Sequence, residues 1–190
     1  MTIALPESHK LQKKGAPVAS VETGTPTRRG PIRNRSKVDN TSAARHWEPF
    51  EFTTLYELSP VEQIDIIRAG MPPDALKAMI HEMDLSQEKV LGYLALPMAT
   101  INRKIKRKEL LSPSDSARVL GLASLIGQVQ TMVERSGNPK GFDAAKWLAE
   151  WMERPLPALG GVRPAEYLDT IAGQQLIGDL LAMMESGAYA

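Results

Sequence analysis

Apolar residues in this chain recur at intervals of three and four, and nowhere do they alternate over a strand's length. Leu76, Met79, Ile80 and Met83 lie on one face of a helix, and so do Ile177, Leu180, Leu181 and Met184. Val119, Leu122, Ile126, Val129 and Val133 follow a 3-4-3-4 rhythm, a seam that asks for a neighbouring helix. β-Branched residues sit at these helical positions, so the spacing predicts an all-α fold with no internal repeat.

The punctuation agrees with the period. Ser59-Pro60-Val61-Glu62 and Ser112-Pro113-Ser114-Asp115 each combine a capping serine, proline at the first helical position and an acid at the third. The first opens a helix in which Leu58, Val61, Ile64 and Ile67 recur every three residues, and Gly70 with Pro72-Pro73 ends it. Asp74 opens the next helix. Ser86 caps a third, lined by Val90, Leu91 and Leu94. Ala95-Leu96-Pro97 turns into a fourth, from Met98 to about Arg107. The longest runs from Ser112 to about Arg135, and Ser136-Gly137-Asn138-Pro139 stops it. Helices near Phe142–Met152 (with Ala145, Leu148 and Trp151 inward), from Pro164 through Leu168, and over 171–186 complete the chain.

Charge divides the chain although its sum is only +1. Residues 1–46 carry nine Lys/Arg against three Asp/Glu, 47–85 two against eight, 86–118 seven against three, and 119–190 five against eight. Two basic blocks thus flank an acidic one, so only parts of the chain suit a polyanion. Residues 1–46 have four prolines and no apolar period, the composition of a disordered basic tail. Arg28, Arg29, Arg33 and Arg35 make that tail a possible nucleic-acid arm, and a plain solvated terminus is the simpler reading. Order is expected from about Trp47. With 190 residues, one domain or two small ones fit. The division drawn is 1–46 tail, 47–136 helical DNA-binding and dimerisation region, and 137–190 small C-terminal domain.

Several function classes drop out. The absence of cysteine excludes a disulfide framework, a thiolate metal site and a cysteine nucleophile. His9, His46 and His81 are far apart and have no i, i+4 pairing for a metal. His81 is expected to be a partly buried structural histidine. Gly160-Gly161 lacks the Lys-Ser/Thr of a phosphate loop. No nucleophile is accompanied by a base, so no enzyme, cofactor or metal is expected. No apolar run approaches the ~18 residues of a membrane span, and MTIALPESHKLQKKG has no secretory core, so a cytoplasmic protein is expected.

Residues 86–110 hold the chief local signal, a short helix, a tight turn and a second helix. In the second helix Ile101 and Ile105 share the core face. The opposite face then shows Ala99, Arg103, Lys106 and Arg107, with Thr100 and Asn102 on its flanks. Polar residues early and cations later suit a major-groove reader. Arg103 is the candidate for a guanine edge, and Lys104, Lys106, Arg107 and Lys108 are candidates for phosphates. A solvated basic helix end, favoured by the helix dipole, is the plainer reading. Major-groove readers commonly act as two-fold dimers, so a homodimer is expected. The 3-4-3-4 seam suits either that dimer or the interior of one chain.

The C-terminal third carries Trp147, Pro157-Ala158-Leu159-Gly160-Gly161, Pro164 and a last helix leading to Glu185-Ser186-Gly187-Ala188-Tyr189-Ala190. These features also have a plain structural reading as a core tryptophan, a chain reversal and a helix start. Taken together, Ala123 in the long helix, Phe142-Asp143, Trp147-Leu148, the Pro157–Gly161 turn, Pro164 with Leu168-Asp169-Thr170, Gly173, Leu180 and Gly187-Ala188-Tyr189 resemble the Xre/MbcA/ParS antitoxin family. The resemblance spans about 60–190. Its toxin-binding part falls at about 137–190 and its less specific Xre-like part at about 71–135; the tail lies outside it.

The resemblance implies an antitoxin of a type II toxin–antitoxin pair. Its partner would be a RES-domain toxin that consumes NAD⁺, blocked by the antitoxin's C-terminal region at the active site. Repression of its own operon through operator DNA is also implied. Carried onto this chain, Trp147, Gly160, Gly161 and Pro164 would hold the toxin-binding domain's shape. Glu185, Ser186, Gly187, Ala188, Tyr189 and Ala190 would approach the toxin. Glu185 or the terminal carboxylate would then meet arginines near an NAD⁺ pocket. The competing reading is a stand-alone helix-turn-helix regulator without a toxin partner.

Overall fold

In a computed structural model, residues 51–137 and 139–187 are described. The expectations for the tail, for order beginning at Trp47, and for Ala188, Tyr189 and Ala190 fall outside these residues. The described residues form eight α-helices and two 3₁₀ turns: α1 (Phe52–Glu57), α2 (Pro60–Ala69), α3 (Pro73–Glu82), α4 (Gln87–Tyr93), α5 (Met98–Arg107), α6 (Pro113–Arg135), α7 (Ala144–Met152), the turns Pro157–Leu159 and Pro164–Tyr167, and α8 (Ile171–Glu185). The only β feature among them is an isolated bridge, Leu156 to Val162. The all-α fold class follows.

The 23-residue α6 is the axis of the fold. Its buried residues, from Ser116 and Val119 through Leu120, Leu122, Ala123, Leu125 and Ile126 to Thr131, surround it on every side. A helix that is apolar all round belongs in the interior, and α1, α2, α7 and α8 pack against this one. The 3-4-3-4 seam is therefore used within one chain: Val119, Leu122, Ile126 and Val129 are buried there and Val133 half-buried. The alternative use of that seam between two copies is overturned, because its residues are already covered.

α1 escaped the periodicity reading, since six residues are too few to establish a period. Its only buried residue is Leu55. It crosses α6 at Gly127, where a Cβ would run into the Phe52 carbonyl and the Tyr56 side chain. This close backbone approach requires glycine.

The predicted serine starts are present, whereas α3 begins at Pro73 with no side-chain cap. At α2 the full capping box forms, with Ser59 Oγ accepting from the Glu62 amide and the Glu62 carboxylate accepting from the Ser59 amide. At α6 the Ser112 hydroxyl accepts from the Asp115 amide and donates to the Asp115 carboxylate at 2.7 Å. Ser86, Asp143 and Thr170 cap α4, α7 and α8 in the same way.

One apolar pattern does not mark a core face, and one local expectation fails. α2 has no buried residue, and Val61 (67% exposed) and Ile64 (44%) face solvent. A strict three-residue spacing slips by about 60° per step, so Leu58, Val61, Ile64 and Ile67 spiral over half the helix. Ile66 and Ile67 make the contacts with the core instead. His81, expected to be partly buried, is exposed on α3 while Ile80 beside it is buried.

Candidate functional site

α4, the turn Leu94-Ala95-Leu96-Pro97 and α5 form a helix-turn-helix. Leu94 and Leu96 are buried and fix the turn from below, while Ala95 takes a left-handed conformation with φ +47°. Such a backbone costs a non-glycine residue about 1–2 kcal/mol, so other contacts must hold it. Arg118 of α6 supplies them. Its Nη1 donates to the carbonyls of Leu94 (2.8 Å) and Ala95 (3.1 Å), and Nη2 meets Asp115 Oδ1 at 2.8 Å. The guanidinium thus satisfies the free carbonyls at the end of α4.

Ile101 anchors α5 in the core and Ile105 packs at its edge. Ala99, Asn102, Arg103, Lys106, Arg107 and Lys108 are exposed, and Thr100 is half-buried on the flank. The sequence-predicted candidates are not equivalent. Arg103, Lys106 and Lys108 have no ion pair among the described residues, and Arg107 lies 3.6 Å from Glu109. Lys104 is turned aside, its Nζ donating to the Leu110 carbonyl at 2.6 Å. Asn102 accepts from Gln87 Nε2 of α4 at 2.9 Å, which braces the two helices against each other. The free cations therefore converge on Arg103, Lys106 and Lys108, a surface suited to phosphate and base edges.

The C-terminal unit is built around aromatic stacking. Trp147 and Trp151 stack with centroids 5.9 Å apart and 12° between planes, and Phe142 tilts against Trp147 at 6.2 Å. Trp147 is half-buried, with part of its ring packed against the core and part open to solvent. Gly160 (φ +66°) and Gly161 (φ +85°) reverse the chain, and the Gly161 amide donates to the Leu156 carbonyl at 2.9 Å. Open space surrounds both, so the backbone conformation, not crowding, requires glycine there. Pro164 is buried and begins the second 3₁₀ turn. At the far end Glu185 and Ser186 are exposed, and Gly187 closes α8 with φ +70°. Trp147 lies in α7, Gly160 and Gly161 form the reversal and Pro164 starts the turn after it, while Glu185 to Gly187 end α8.

One polar link joins this unit to the helix-turn-helix and another joins it to α6, and neither was legible in the sequence. Lys89 of α4 meets Glu153 at 2.9 Å. Glu153 also pairs with Arg163 at 3.3 Å, and Arg163 with Glu166 at 3.0 Å. Glu166, by hydrogen bond and charge, raises the Arg163 pKa above its ordinary value, with Glu153 adding to it. On the other side, buried Gln174 of α8 donates to the carbonyls of Arg118 and Leu168, both at 2.9 Å. The sequence separations, 56 residues between Gln174 and Arg118 and 64 between Lys89 and Glu153, leave no local pattern to read.

Among the described residues, no helix is long and apolar enough to cross a membrane, and no group of three or more His, Asp or Glu could hold a metal. Two family models match the chain. One, described as the antitoxin Xre-like helix-turn-helix domain, covers residues 62–124; the other, described as the antitoxin Xre/MbcA/ParS C-terminal toxin-binding domain, covers 142–187. The protein named Prs ADP-ribosylating antitoxin of Sphingobium sp. (strain YBL2) is 46% identical over 142 residues, which are 75% of this chain and 89% of that protein. With a helix-turn-helix followed by a toxin-binding unit, and with a relative this similar over this length, the chain belongs to the Xre/MbcA/ParS antitoxin family.

Proposed function

We propose that this chain neutralises a cognate NAD⁺-consuming toxin of the RES-domain type, covering its active site with the C-terminal region, and represses its own operon as a homodimer on DNA. The observation that carries the reading is the toxin-binding domain matched over 142–187, in a chain whose relative is named for both antitoxin action and ADP-ribosylation. ADP-ribosyl transfer breaks the nicotinamide–ribose bond of NAD⁺, so such a toxin and an NAD⁺-hydrolysing one both lower cellular NAD⁺. Occlusion is a binding role and needs no cofactor or catalytic group in the antitoxin.

The functional units are 47–136 for DNA and dimerisation and 137–190 for the toxin. In the second, Trp147, Gly160, Gly161 and Pro164 set the shape. Glu185, Ser186, Gly187, Ala188, Tyr189 and Ala190 approach the toxin, and Glu185 answers cationic groups near its NAD⁺ pocket. In the first, Arg103 reads a base edge, Lys106 and Arg107 hold phosphates, and Thr100, Asn102 and Lys104 flank them. A cytoplasmic location suits both tasks.

The test is cellular NAD⁺ after induction of the toxin encoded beside this chain, with and without the chain. Collapse with the toxin alone and recovery on co-expression supports neutralisation. Protein-linked rather than free ADP-ribose in the lysate would identify the toxin as a transferase. Unchanged NAD⁺ in both arms removes the RES-type assignment and leaves an antitoxin of a different toxin, or a stand-alone regulator.

A further inference from the structure

α2 presents two apolar sides. Ile66 and Ile67 pack on the core, while Val61 and Ile64 point away from it into solvent. At 100° per residue, Val61, Ile64, Asp65 and Arg68 share one outward face about 100° wide. Val61 is the most exposed large apolar residue among those described. Asp65 and Arg68 make no ion pair with each other or with any other described residue. The helix carrying them is rigidly started by the Ser59–Glu62 capping box and Pro60, so the face is a fixed platform.

We infer that this face of α2 is where two copies of the chain meet, packing antiparallel about a two-fold axis near Ile64. This rests on the homodimer reading above and names the surface it uses. A two-fold interface joins one patch to itself, so the patch must be self-complementary. This one is. Two apolar residues lie beside one acid and one base, a turn or less apart. An antiparallel crossing brings Val61 and Ile64 of both copies together and sets the Arg68 of one copy within a side chain's reach of the Asp65 of the other. A patch built for a cationic or an anionic partner would carry one sign of charge. The long helix cannot serve instead, because its apolar seam is covered within one chain.

The test is sedimentation equilibrium of the full chain and of four variants, with circular dichroism as the check on folding. The wild type is expected to sediment as a dimer. Val61→Glu and Ile64→Glu should each weaken dimerisation about a hundredfold or more, since each buries an unpaired carboxylate; both positions are exposed, so helicity should hold. Asp65→Arg should weaken it by like-charge repulsion, and Asp65→Arg with Arg68→Asp should restore it. A monomeric wild type would overturn the homodimer reading together with this surface. A wild-type dimer that all four variants retain would overturn the surface alone. Variants that stay dimeric but no longer neutralise the toxin would assign the face to the toxin and overturn the inference.

Discussion

The helix-turn-helix and the toxin-binding unit treat their charges in opposite ways. On α5, Arg103 and Lys106 stand exposed and without ion partners among the described residues, and Lys108 just beyond the helix does the same. Between 142 and 187 there are three cations against seven acids, and every cation is paired: Lys146 with Asp143, Arg154 with Glu150, and Arg163 with Glu153 and Glu166. Asp169, Asp179 and Glu185 are left exposed with no ion pair among the described residues. Surface ion pairs contribute little to stability, so their use here is to decide which charge remains free. Among the described residues, one region leaves cations free, and the other pairs its cations and presents acids and apolar surface.

The largest effect that would break this comparison is at the tip. Removing residues 187–190 should abolish toxin neutralisation in a growth-rescue assay while leaving DNA binding and helicity unchanged. Full rescue by the shortened chain would remove the tip from the toxin site. Next is Leu148→Ala, at a fully buried position of α7. It should cost about 2–5 kcal/mol in chemical denaturation, and because one continuous core serves both regions it should weaken both activities together. Loss of neutralisation alone would mean that the regions unfold separately.

Arg103→Ala should sharpen the contrast from the other side. Loss of a guanine contact is worth about 1–3 kcal/mol, or about fivefold to 150-fold in operator affinity, with neutralisation unaffected. Lys106→Ala should lower affinity less, equally for all DNA sequences, and reduce the salt dependence of binding. Arg118→Gln should weaken operator binding although the residue is not on the DNA face, because the Leu94 and Ala95 carbonyls lose their donor; Arg118→Lys should recover part of it. Titration of operator DNA by fluorescence anisotropy reads all three. The smallest effect is Gly161→Ala, which forces an alanine into φ +85°. It should cost about 1–2 kcal/mol, seen as a lower melting temperature, with any functional loss confined to neutralisation.

Local chemistry fixed much of this protein in the sequence itself. Serine–proline starts, glycine stops and one-face runs such as Leu76-Met79-Ile80-Met83 depend on residues within a turn or two of each other, so helix limits and the all-α class were legible. So were the cations of α5, because Ile101 and Ile105 fix which side of a short helix faces inward. The Gly160-Gly161 reversal and the Trp147 framework were legible as a spaced pattern, and the family followed from it. The tertiary structure alone decided the rest. The heptad-like seam of α6 fitted a neighbour from the same chain or another equally well, and only the packing of α1, α2, α7 and α8 settled which. Val61 and Ile64 had the composition of a core and the position of a surface. Arg118 to Leu94, Gln174 to Arg118, and Lys89 to Glu153 join residues more than twenty positions apart. A polar contact at that range leaves no period in a sequence, because its energy depends on where two distant backbones come to rest.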